Sequence, residues 1–137
     1  MSQLNKAVRW CPLYKDTSRA IKDFEGGVLM ISHNAEFFGE DEFCMFDNQE
    51  KPDNHYSHSR LLCVKLEKDG STRRGVVTFS YSMGAYTPHF GDNDRLPTSN
   101  QFGVHWPDQV DVDDQYDVRA LEVVRATGDV VYELKVV

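Results

Sequence analysis

The sequence predicts an α+β domain dominated by antiparallel sheet, either a partly closed barrel or a sandwich, with an N-terminal helix and a long crossover loop. Three observations carry this expectation. Arg60–Glu67 and Gly75–Tyr81 are rich in Leu, Val and Phe and flank Asp69-Gly70, a strong hairpin-turn dipeptide. Near the other end, Val130, Tyr132, Leu134 and Val136 alternate with Asp129, Glu133 and Lys135. Period-two alternation assigns the first set to the core face of a sheet and the second to water. Finally, Ala20, Ile21 and Phe24 fall at helical spacing before Gly26-Gly27.

Taken in order, residues 1 to 15 carry no clear period. Asp16 or Thr17 caps a helix, because a short side-chain oxygen accepts from free first-turn amides. Val28–Ser32 is an apolar run of strand length. Glu42–Phe46 is a short strand. The text DNQEKPDNHYSHS, residues 47 to 59, is polar and rich in turn formers, and reads as a loop. The first hairpin covers 60–81. The second pairs Asp117–Arg125 with Asp129–Val136 across Ala-Thr-Gly. Between them, Ser82–Tyr116 has almost no periodicity and reads as a long loop. It carries Tyr86, Phe90, Phe102 and Trp106, so it is expected to pack across the sheet rather than to hang in solvent. Residues 1–137 are expected to form one domain.

The stretch SRAIKDFEGGVLMISHNAEFF, residues 18 to 38, resembles a helix-to-strand segment of ABC-type ATPases, especially the translation-associated branch with tandem nucleotide-binding domains. The resemblance covers about twenty residues and implies that His33 takes the place of the phosphate-sensing histidine. ATP chemistry needs a GxxxxGK[ST] loop, because backbone amides and a lysine neutralise the phosphates. The sequence has no Gly-Lys pair, no apolar strand ending in Asp-Glu and no Ser-Gly-Gly-Gln signature. The segment is therefore read as capped helix, Gly-Gly stop and apolar strand, with His33 a polar residue at the strand end.

Net charge is −7, which disfavours nonspecific binding to nucleic acid or anionic membrane. The carboxylates are bunched. Seven lie between Glu36 and Asp53 with one lysine, and five lie between Leu96 and Val118 with no Lys or Arg. The longest apolar run, Val28–Ile31, is too short to cross a bilayer, and the N-terminus shows no signal-peptide pattern. Cys11, Cys44 and Cys63 are odd in number and not compactly spaced, which points to reduced thiols and a cytoplasmic address.

Several constellations hold residue types suited to chemistry. His89, Asp92, Asp94 and His105 form a polar cluster in the long loop, with groups for acid-base work or a metal but no recognised motif that orders them. His55-x-x-His58 with Cys44 and Cys63 has zinc-type ligands but no knuckle spacing. Asp108, Asp111, Asp113, Asp114 and Asp117 lack the glycine and closing glutamate of a calcium loop. No GxSxG elbow is present, and no cysteine has an activating local sequence. No metal and no cofactor is expected. The aromatics of the long loop are interleaved with carboxylates rather than lysines, the wrong sign for a groove that tracks phosphates.

The function expected is that of a small acidic, non-enzymatic binding protein. It engages a basic, nucleic-acid-binding protein partner through an acidic and aromatic face, in the manner of a virus-encoded inhibitor. That face is assigned to Trp106, Asp108, Asp111, Asp113, Asp114 and Tyr116, with Glu40, Asp41 and Glu42. Carboxylates steer a basic partner and aromatics anchor it. Direct nucleic-acid and membrane binding are not expected, and the sequence leaves the oligomeric state open. The alternative is a small enzyme or ligand-binding barrel, its pocket under residues 82–116 and lined by Tyr86, His89 and His105.

Overall fold

The computed structural model describes residues 32–48, 58–70, 72–107 and 117–136, and these hold eight strands. They are β1 (Ser32–Phe37), β2 (Glu42–Asp47), β3 (Arg60–Asp69), β4 (Thr72–Ser82), β5 (Asp92–Arg95), β6 (Gln101–His105), β7 (Val118–Val123) and β8 (Val130–Val136). They form two four-stranded antiparallel sheets, ordered β1-β2-β3-β4 and β5-β6-β7-β8. No helix occurs among the described residues and no barrel closes, so the α+β expectation is corrected to two antiparallel sheets. The helix expected before Gly26-Gly27 lies outside the described residues. Among the described residues no helix is long and apolar enough to cross a membrane.

Both expected hairpins form. The first closes with a two-residue turn between paired Asp69 and Thr72, with Gly70 at φ +58°. The second turns at 124–129 on hydrogen bonds from the amides of Thr127 and Gly128 to the Val124 carbonyl. The long loop expected over 82–116 is corrected: it contains β5 and β6, half of the second sheet. The reason lies in their inward side chains. Inside the fold, β5 presents Asn93, while β6 presents Gln101, Gly103 and His105. A buried face made of amides, a glycine and an imidazole leaves no apolar period to read.

The sheets pack face to face around Cys44, Phe46, Leu61, Cys63, Phe79, Met83, Leu121 and Val123, which come from β2, β3, β4, the residue after β4, and β7. Each is nearly or wholly removed from water, which supplies the main drive to stack the sheets. A second apolar cluster of Met45, Leu62 and Val64 forms on the opposite face of the first sheet, with Phe43 and Val77 against it. Two glycines set how closely the sheets approach. A Cβ on Gly91, at φ +132°, would stand 2.2 Å from the Phe46 ring, and one on Gly103 would stand 2.6 Å from a Leu61 methyl.

Cys44 and Cys63 face each other in register across β2 and β3 and are joined by a disulfide. The reduced-thiol expectation is corrected for this pair. Strand pairing, not sequence spacing, brings the two sulfurs together. Cys11 lies outside the described residues.

Candidate functional site

One polar network ties the sheets together at the upper end of β2. Glu42 is buried there and accepts hydrogen bonds from Arg95 (2.8 Å to Oε2), from both Nη atoms of Arg125 and from Thr78. Thr78 is the extra residue of a bulge, because Cys63 pairs with Phe79 and Val64 with Val77. The bulge turns its hydroxyl toward the carboxylate. Burial pushes the Glu42 carboxyl up, but the bonds from Arg125 and Thr78 and the charges of Arg125 and Arg95 outweigh it and hold the group below its usual range. The network continues inward. Arg125 donates to Gln101, Gln101 donates to Asn93, and Asn93 donates to the carbonyls of Met45 and Leu62. Glu42 is thus placed in a structural ion cluster rather than on an open face.

A second network holds the lower end. The buried Asn48 side chain is fixed by three hydrogen bonds: its Oδ1 lies 2.8 Å from His33 Nδ1, and its amide donates to the carbonyls of Thr87 (2.8 Å) and Phe90 (2.9 Å). The Ser59 hydroxyl donates to the Asn48 carbonyl and accepts from the Thr87 amide. The Thr87 hydroxyl lies 3.0 Å from His105 Nδ1. His105 is fully buried, and its Nε2 has no hydrogen-bond partner among the described residues. Burial, helped by the Arg119 charge, lowers its pKa to about 4.

The product of these bonds is an unusual surface. Phe90 takes a left-handed backbone at φ +62°, costly for a bulky residue, and the residue is 64% exposed. His33, His89 and Trp106 surround it, with ring centroids 6.2, 6.3 and 6.1 Å away. From this cluster β5 leads upward with Asp92 and Asp94. Glu36 of β1 stands close enough to act on Asp94. Burial, then Asp92, then Glu36 push the Asp94 carboxyl up from its ordinary range. Rings and carboxylates therefore share one seam, where β5 lies against the edge strand β1.

The seam gathers some expected residues and disperses others. Trp106 is in it. Glu40 and Asp41 are exposed at the β1–β2 turn, at the opposite end of β2 from Trp106. Six residues of strand put roughly 20 Å between those ends. Asp108, Asp111, Asp113, Asp114 and Tyr116 lie outside the described residues. Of the alternative pocket, His105 is buried, Tyr86 is half-buried and His89 is exposed. Sequence reading grouped Asp92 and Asp94 with His89 and His105, and missed their union with Phe90, His33 and Glu36. The available signal was Phe90-Gly91 followed by Asp-Asn-Asp, an aromatic at a turn beside paired carboxylates.

Among the described residues no three His, Cys, Asp or Glu side chains are grouped as a metal ion requires. The chain matches no protein-family model, no curated protein and no solved structure.

Proposed function

We propose that this protein is a binding module that captures a basic protein partner on the seam between its sheets. The observation that carries the reading is Phe90: a large ring held toward water in a costly backbone conformation by a buried asparagine. Strain of this kind persists where surrounding structure over-determines it, and it concentrates at binding sites. The flanking rings offer faces to a guanidinium or ammonium group, and Asp92, Asp94 and Glu36 supply the opposite charge. A partner's cation there relieves the mutual repulsion of the carboxylates. A protein that presents carboxylates in this way competes with nucleic acid for a basic surface, which is how it would act as an inhibitor.

The test is retention of partners from a lysate at low and high salt by wild type, Phe90→Ala and Asp92→Asn/Asp94→Asn. The reading predicts a partner held by wild type, released by salt and lost in both variants. A partner held equally by all three contradicts it. Location is tied to the redox state of Cys44 and Cys63. A cytoplasmic protein keeps such cysteines as thiols, whereas an oxidising compartment keeps the bond the structure contains. Mass analysis after thiol trapping at lysis separates the two.

A further inference from the structure

We infer that β8 is a self-association edge, through which two copies of this chain pair antiparallel into one continuous eight-stranded sheet. Every residue of β8 is exposed, including Val131 at 59% and Val136 at 53%. The strand is at the end of its sheet, and among the described residues no strand lies beyond it. The alternation that the sequence assigns to the core points the other way. Leu121 is in the core and pairs with Glu133, whereas Ala120 pairs with Leu134, Glu122 with Tyr132 and Val118 with Val136. Tyr132, Leu134 and Val136 therefore line the outer face of the second sheet. They extend an apolar surface that runs through Ala120 and Val118 to Val104 and Phe102. Contiguous exposed apolar strips on a bare sheet edge mark interaction sites; β8 has no proline to block pairing, and its one lysine, Lys135, lies on the inner face beside Glu133.

The strand is complementary to itself in one register. A two-fold axis at Leu134 places Leu134 opposite its copy and Tyr132 opposite Val136. It also places Glu133 opposite Lys135 twice over. Apolar side chains meet on the outer face and opposite charges meet on the inner face. Moving the axis to Glu133 sets carboxylate against carboxylate. Moving it to Tyr132 carries the pairing across the bulge at Val131, where Glu122 pairs with Tyr132 and Val123 with Val130. The Leu134 register uses only the regular part of the strand. The existing partners Arg119 of Glu133 and Asp117 of Lys135 extend each new pair into a short charge ladder.

The experiment is sedimentation of the full chain across concentration, for wild type, Glu133→Lys, Lys135→Glu and an equimolar mixture of the two variants. Wild type is expected to pass from monomer to dimer. Each single variant sets like charges opposite each other twice and is expected to dimerise about tenfold more weakly or worse. In the mixture every ammonium again meets a carboxylate, so dimer is expected to return as a heterodimer. Because the mixture contains only the two variants, its recovery also shows that each is folded. Wild type that stays monomeric throughout overturns the inference and leaves the edge to a strand of another protein. Variants that dimerise like wild type, or a mixture that stays monomeric, overturn the register.

Discussion

At the scale of single residues, His105 is the clearest pH-sensitive group. It is neutral in the fold because burial and Arg119 oppose its charge, and an unfolded histidine titrates near 6.5. The folded pKa is the lower one. The stability it contributes is complete above about 6.5 and is lost as pH falls from there toward about 4. Chemical unfolding at a series of pH values should show a loss of about 3 kcal/mol across that window, and His105→Gln should flatten it. Gly91 is the second such residue. Gly91→Ala would drive a methyl into the Phe46 ring from a backbone angle that disfavours any side chain, so a loss of roughly 2–4 kcal/mol is expected by denaturant titration.

At the scale of elements, what was legible and what was not divide by the chemistry of the buried face. β3 and β4 bury Leu61, Cys63 and Phe79, and they flank a two-residue turn, so apolar content and turn chemistry agree. β5 and β6 fill the same interior with Asn93, Gln101 and His105, so their strands look like a polar loop. β1 reads poorly for a related reason: it is an edge strand with a bulge between His33 and Glu36 and Asn34 at φ +48°. β8 shows the opposite error. From Tyr132 onward its period holds and its face does not, because alternation identifies two faces without saying which one meets the core, while the bulge at Val131 breaks the period before it and sets Val130 opposite Val123. The network that replaces apolar packing between the sheets hangs on Glu42. Glu42→Gln should destabilise the fold by about 2–4 kcal/mol, since it leaves Arg125 and Arg95 with a weaker partner in a half-dry site. Its carboxyl sits below the usual range, so this contribution is full above the ordinary carboxylate pKa and is lost as pH falls through the lowered value. Thermal melts of wild type and Glu42→Gln should converge in acid.

At the scale of the whole molecule, the acidic surplus has a place rather than only a sum. Asp94 is pushed up first by burial and then by the charges of Asp92 and Glu36, so some repulsion is already present in the unbound seam. Asp94→Asn should therefore stabilise the free protein slightly, by roughly 0.5 kcal/mol, while weakening its hold on a cation. Those opposite signs separate a binding surface from a structural one, since a structural carboxylate would lose stability on neutralisation. The same reasoning fixes the pH response of binding. A bound cation favours the charged carboxyl, so affinity should fall as pH drops through the raised Asp94 pKa.

The most direct measurement is calorimetric titration of an arginine-rich peptide into the full chain, for wild type, Phe90→Ala and Asp92→Asn/Asp94→Asn, at low and high salt. The seam account predicts saturable binding to wild type, at least tenfold weaker binding for each variant, and a loss with salt that is steep for wild type and Phe90→Ala and shallower for Asp92→Asn/Asp94→Asn. Equal affinity in all three proteins, or binding indifferent to salt, would contradict it.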